Sequence, residues 1–227
     1  MFRSSRLAPV SLSPTLAPTV IGPVSSHKHL GLVLNESLSW HDHVTYICLK
    51  SSERLGLLTR LRHCLPSLVI GQLYLTCILP IIEYANIARW GIQKGDQGHL
   101  DRLQSRAARL VTGFSPQSNI PHAIQLARAG CDPLSSRRET AQATFAYRLL
   151  HQSLPSHLQS FLDSHIFPKS AKSLSLRNRQ SIRLPRAHKS LLSSFPPYVS
   201  SSSWNSLPSS VQQSSSLLVF KSSLATL

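Results

Sequence analysis

The sequence predicts a mainly α fold, with a short β element near the N-terminus and a basic, partly extended C-terminal tail. Three observations carry this. Apolar residues recur at three- and four-residue spacing from about residue 44 to 151, the period of helices that bury one face. One apolar run bounded by turn formers, residues 29–34, reads as a buried strand. Beyond Asp163 the chain becomes Ser-rich and carries eight Lys and Arg but no acid. Four segments follow: a Pro/Ser-rich leader (1–26), a strand and turn (27–43), a helical domain (44–163) and a basic Ser-rich extension with a short terminal helix (164–227).

In the leader, residues 19–21 read as a short strand, and Pro9, Pro14, Pro18 and Pro23 break any amphipathic targeting helix. Asn35, Ser37 and Ser39 then form a turn. A first helix over 44–65 is expected to bury Val44, Ile47, Cys48, Leu55, Leu58, Leu61 and Leu65. Pro66 breaks it, and Ser67 is placed to cap the next helix. That helix, over 68–90, is apolar nearly all round, which marks a central element, and Pro80 should kink it. Its most apolar part, 68–82, holds Gln72, Thr76 and Pro80 and falls short of the roughly 20 residues a bilayer needs. No membrane partner is expected.

The cleanest amphipathic helix covers 99–113, with Leu100, Leu103, Ala107 and Leu110 inward and Gly113 as its stop. Shorter helices follow at 120–129, stopped by Gly130, and at 135–151, where Phe145, Leu149 and Leu150 are apolar. An edge strand is expected at 177–185, loop over 190–210, and a last helix bearing Leu217, Phe220, Leu224 and Leu227.

Charge narrows the function. The chain has 227 residues, 24 Lys and Arg against 9 Asp and Glu, and a net charge of +15. Such an excess favours a polyanionic partner. The nine carboxylates (Glu36, Asp42, Glu53, Glu83, Asp96, Asp101, Asp132, Glu139 and Asp163) include no adjacent pair. Paired-carboxylate catalysis and two-metal sites need acids close together, so this pattern argues against both. Neither a G-x-S-x-G elbow nor a phosphate-cradling Gly-rich loop is present. No small-molecule substrate and no cofactor are expected.

Arg102, Arg106 and Arg109 stand at i, i+4 and i+7, which lines three guanidinium groups along one helix side, as successive backbone phosphates require. The pairs Lys50/Arg54, Arg60/Arg62 and Arg137/Arg138 extend the basic set, and the competing reading is an ordinary solvated surface. His27-x-His29 and His41-x-His43 could each share a metal geometrically, but lack flanking Cys and carboxylate support, so no metal is expected. Cys48, Cys64, Cys77 and Cys131 have no C-x-x-C spacing, and without a secretory signal they read as buried thiols in a reducing intracellular compartment, nucleus or cytoplasm. Trp40, Trp90 and Trp204 read as core or hinge anchors rather than stacking platforms.

Three stretches together resemble one family. HKHLGLVLNESLSWHDHV (27–44) is similar to the segment after the palm in non-LTR, LINE-type, jockey-like retrotransposon reverse transcriptases. LYLTCILPIIEYANIARWG (73–91) with LDRLQSRAARLVTGFSP (100–116) resembles that family's next two helices. GCDPLSSRRETAQATFAYRLLHQSLPSHL (130–158) with SSWNSLPSSVQQSSSLLVFKSSL (202–224) resembles its C-terminal tail. The departures are His29 in place of an aromatic before Leu30-Gly31, and Cys131-Asp132 where a Trp usually precedes Pro-Leu.

The family's enzymes are RNA-directed DNA polymerases whose two metals rest on palm carboxylates. This chain contains no Asp-Asp, and the resemblance starts after the palm. It also lacks stretches like the family's endonuclease, ribonuclease H or zinc knuckle. The resemblance therefore implies a short β remnant of the palm, a helical thumb-like bundle and a tail, without polymerase activity. It further implies contact with a template–primer duplex through Lys50, Arg54, Arg102, Arg106 and Arg109. Two alternatives stay open: a domesticated nucleic-acid or chromatin-binding protein, and an inert product of a truncated element. Apolar faces left without a palm would favour self-association.

Overall fold

The computed structural model describes residues 15–16, 19–20, 24–89, 91–115, 119–151, 155–156, 160 and 196–226. They are mainly helical, as the periodicity predicts, and no described helix is long and apolar enough to cross a membrane. Two compact units divide them, one within Met1–Ala85 and Ile92–Cys131, the other within Asn86–Gly91 and Asp132–Leu227. The sequence places its change of character later, after Asp163. The expected strand at 177–185, Trp90 and Leu227 lie outside the described residues.

The first unit begins with a two-residue ladder between β1 (Thr15–Leu16) and β2 (Thr19–Val20). Next comes an antiparallel hairpin of β3 (Ser26–His29) and β4 (Leu32–Asn35), pairing His29 with Leu32 and Ser26 with Asn35. This corrects the single buried strand expected at 29–34. The chain reverses at Leu30 and Gly31, which both take positive φ (46° and 82°), as a type I′ turn requires, and β3 is exposed along its whole length. Tyr84 donates its hydroxyl proton to the Leu30 carbonyl, and its ring lies so close that a Cβ on Gly31 would stand 3.0 Å from Tyr84 Cε1. Only glycine satisfies both the left-handed backbone and that contact. Gly31→Ala should therefore cost about 1–2 kcal/mol by denaturant titration. Gly56→Ala, mid-helix with open space at its Cβ, should stabilise by up to about 1 kcal/mol.

Asn35 ties the hairpin to α1 (His41–Leu61): its side-chain amide donates to Asp42 Oδ2 (2.9 Å) and Ser39 Oγ (2.8 Å), while its Oδ1 accepts from the Ser39 N–H (2.9 Å). The buried stripe of α1 is His43, Val44, Ile47, Ser51, Leu55 and Leu58. Leu61 is exposed, Cys48 and Leu65 are half-buried, and the helix ends at Leu61 rather than 65.

The expected continuous helix over 68–90 is three pieces: α2 (Ser67–Leu73), a π-helical turn (Tyr74–Ile78) and α3 (Leu79–Glu83). Pro80 has no N–H and its ring clashes with the carbonyl four residues back, so the ladder widens before it, and the Leu79 N–H reaches Tyr74 O. The helix ends at Glu83, where Tyr84 turns extended and Ala85 takes φ 50°. Ile70, Tyr74, Ile78, Leu79 and Ile82 are buried, but Leu68 is 72% exposed, so the element is not covered all round. Ser67 does not cap α2. Pro66 occupies that position and its carbonyl accepts from the Ile70 N–H (3.1 Å). The same device starts α5 (His122–Arg128) after Pro121.

α4 (Lys94–Thr112) packs against α1, α2 and α5. Leu100, Leu103 and Ala107 are buried as expected, Leu110 is half-buried, and Gly113 closes the helix at φ 72°. Its first turn holds the buried Asp96 against His41 Nδ1 at 2.9 Å, linking the N-termini of α4 and α1. α5 ends in a Schellman arrangement, with Cys131 N–H to Leu126 O and Gly130 N–H to Ala127 O.

The second unit packs α6 (Leu134–His151) against α7 (Pro196–Asn205) and α9 (Leu217–Ala225), with α8 (Ser209–Gln212) between the last two. Among the described residues of the loop expected over 190–210, those of α7 and the start of α8 are helical instead. Ser200 and Ser201 are buried, and side chains this small let α7 approach α6 closely. Trp204 stacks on Phe220 (5.8 Å) and tilts against Tyr147 (6.3 Å), while the buried Gln212 amide donates to the Trp204 carbonyl (2.7 Å). Trp204 is thus a core anchor, as expected. Ser216 caps α9 by accepting from the Val219 N–H (3.3 Å).

Candidate nucleic-acid interface

The basic residues singled out in the sequence fall into separate groups. Arg102, Arg106 and Arg109 share one side of α4. Arg102 and Arg106 are exposed and Arg109 half-buried, opposite the apolar stripe that holds the helix on its neighbours. Arg60 and Arg62 lie at the end of α1, both exposed, and Arg62 Nε donates to His63 Nε2 at 3.0 Å. Arg137 and Arg138 belong to the second unit. Arg137 stands 3.8 Å from the Asp132 carboxylate, so part of its charge is already answered.

Lys50 and Arg54 enter a more elaborate arrangement. Tyr46, Lys50 and Arg54 recur every four residues along α1, which stacks them on one stripe. The hairpin brings Lys28 to the same place, with Nζ donating to the Tyr46 hydroxyl at 2.7 Å. Lys28 Nζ lies 4.5 Å, and Lys50 Nζ 4.9 Å, from the centre of the Tyr46 ring, both cation–π distances. Arg54 Nη1 donates to the Cys77 carbonyl at 2.6 Å, in the π turn where the widened ladder makes a backbone acceptor available. These groups line a cleft of about 410 Å³ whose other walls include Ile47, Pro80, Ile81 and Tyr84. Among the described residues no Asp or Glu lines it.

Two ammonium groups on one phenol alter its acidity. The hydrogen bond from Lys28 foremost, then that from Lys50, holds the Tyr46 hydroxyl below the ordinary tyrosine value of 10.0. In an absorbance titration Tyr46 should therefore ionise below 10.0, and Lys28→Ala should move it back up. The depressed value belongs to the folded state. Its linked stabilisation accrues as pH rises from that value toward 10 and is absent at neutral pH.

Sequence reasoning missed Lys28, Tyr46 and Tyr84. The four-residue repeat of Tyr46, Lys50 and Arg54 was a usable signal for the second. Lys28 and Tyr84 arrive through tertiary packing, and no local pattern marks them.

The histidine pairs serve structural ends. His43 is buried and its Nδ1 accepts from the Val33 N–H (3.3 Å), whereas His41 faces Asp96. His27 and His29 stack on one another at 6.4 Å on the exposed strand. Among the described residues no group of three or more His, Cys, Asp or Glu is placed to hold a metal ion. All four cysteines are thiols, but Cys64 and Cys77 are exposed and Cys48 and Cys131 half-buried, where buried thiols were expected. Cys64 follows the end of α1 and Cys77 sits on the outer side of the π turn, so neither reaches a core.

No protein-family model, curated protein or solved structure matches this chain.

Proposed function

We propose that this chain binds the sugar–phosphate backbone of nucleic acid without reading base sequence, as the post-palm remnant of a non-LTR retrotransposon reverse transcriptase. The observation that carries the reading is the presence of two basic features on one helical unit. One is the arginine side of α4, the other the acid-free cleft on α1 that holds Lys28, Lys50 and Arg54. Cations spaced along a rigid helix answer charges spaced along a backbone, and they carry no sequence information. Arg60 and Arg62 extend the same unit, and Arg137 and Arg138 give the second unit a smaller basic contribution.

In this reading the chain grips a template–primer duplex in the manner of a thumb and does no chemistry itself. Two-metal nucleotide transfer needs juxtaposed carboxylates. With template, primer, deoxynucleotides and Mg²⁺ supplied, the purified chain should leave the primer unextended, and extension would overturn that part of the reading. The binding part predicts that log K falls linearly with log salt on a duplex of any sequence.

A specific observation supports a chain that folds without a palm partner. The second unit closes an aromatic core of Tyr147, Trp204 and Phe220 within itself.

A further inference from the structure

We infer that the cleft formed by the β3–β4 hairpin, α1 and α3 is a site for a phosphate monoester carried on a nucleoside, met either at the 5′ end of a strand or as a free nucleoside monophosphate. The inference deepens the backbone-binding reading and rests on it, because it names the end group that the same unit accepts.

The first argument is charge. Lys28, Lys50 and Arg54 converge on one cleft that no carboxylate lines among the described residues. Tyr46 draws both ammonium groups to its ring and hydroxyl, which fixes two like charges near one another. Like charges held together raise the potential of the space they share, and an anion relieves it. Arg54 is anchored by giving one N–H to the Cys77 carbonyl, so its guanidinium plane is set before any ligand arrives.

The second argument selects the anion. A phosphate monoester carries roughly −1.5 to −2 charge near neutrality and three terminal oxygens, enough to engage all three cations. An internal diester carries a single charge, and its chain must leave in both directions. At about 410 Å³ the cleft is at the small end of the range for organic ligands, roughly 300–1,000 Å³. It has room for one nucleotide and not for a duplex.

The third argument selects what the phosphate is attached to. Besides the cations, the walls include Ile47, Pro80, Ile81 and the half-exposed Tyr84. An apolar, partly aromatic wall beside a cationic one suits a base stacked on a ring with its phosphate held by ammonium and guanidinium groups. The hydrogen bond from Tyr84 to the Leu30 carbonyl holds that ring against the hairpin. The ligand therefore meets a formed wall.

The test uses the full chain and an RNA–DNA hybrid with a short single-stranded overhang, made with a 5′-phosphate or a 5′-hydroxyl and labelled at the opposite end. Fluorescence anisotropy should show the phosphorylated form binding at least about tenfold tighter. In Lys28→Gln, an exposed substitution, that ratio should fall toward one. Competition by adenosine monophosphate that erases the ratio assigns the site to free monophosphate, and failure to compete assigns it to strand ends. Inorganic phosphate competing as well as adenosine monophosphate would overturn the nucleoside part of the inference. Equal, salt-sensitive binding of both hybrids would overturn the cleft proposal and leave backbone binding standing. No binding of either hybrid, nor of the monophosphate, would overturn both.

Discussion

Trp204→Ala should unfold the second unit at temperatures where the native chain holds it. Trp204 is 1% exposed and sits between Tyr147, His151 and Phe220, with its carbonyl bound by Gln212. Removing a buried indole costs about 3–5 kcal/mol through lost transfer energy and the cavity left behind. Against a typical domain stability of about 5–15 kcal/mol that is a large share. Circular dichroism melts should show the loss, and a hydrophobic dye should bind the variant in the cold. Leu218→Ala, at a side chain 79% exposed on the neighbouring helix, should stay within about 0.5 kcal/mol. A Trp204 variant as mild as the Leu218 variant would mean that this aromatic core does not hold the unit.

The second large effect concerns binding. Changing Arg102, Arg106 and Arg109 together to Gln should flatten the slope of log K against log salt by about 3, near one unit per lost phosphate contact. Affinity should weaken by a similar factor on every sequence tested, because phosphate contacts do not discriminate bases. The side chains point away from the stripe of Leu100, Leu103 and Ala107, so the fold should survive the change. An unchanged slope would remove α4 from the interface.

How far the sequence could be read depended on whether a signal was local. α4 was legible because its apolar spacing and Gly113 stop lie within one helix, and its arginines fall on the opposite side by arithmetic alone. The hairpin was not. A type I′ turn is recognised by Asn-Gly or Asp-Gly, and here Leu30 occupies the first position, which disguised two short strands as one apolar run. The kink at Pro80 was legible, but its form was not, because the π turn lies N-terminal to the proline and its Cys77 carbonyl is met by Arg54 from another helix. The segment 190–210 reads as loop because serine is a weak helix former, and the helices found in its described part depend on Trp204 and Val211 packing on α6 and α9. In the cleft, Lys50 and Arg54 were found on their own helix, whereas Lys28 required knowing where the hairpin docks.

Binding to an RNA–DNA hybrid, compared with a single strand of the same sequence in the presence of heparin, tests the central claim most directly. At a net charge of +15 the chain will adhere to any polyanion, so affinity alone decides nothing. The account predicts binding that survives heparin, favours the hybrid over the single strand and weakens linearly with log salt. Binding that heparin abolishes, with no preference for the duplex, would contradict it.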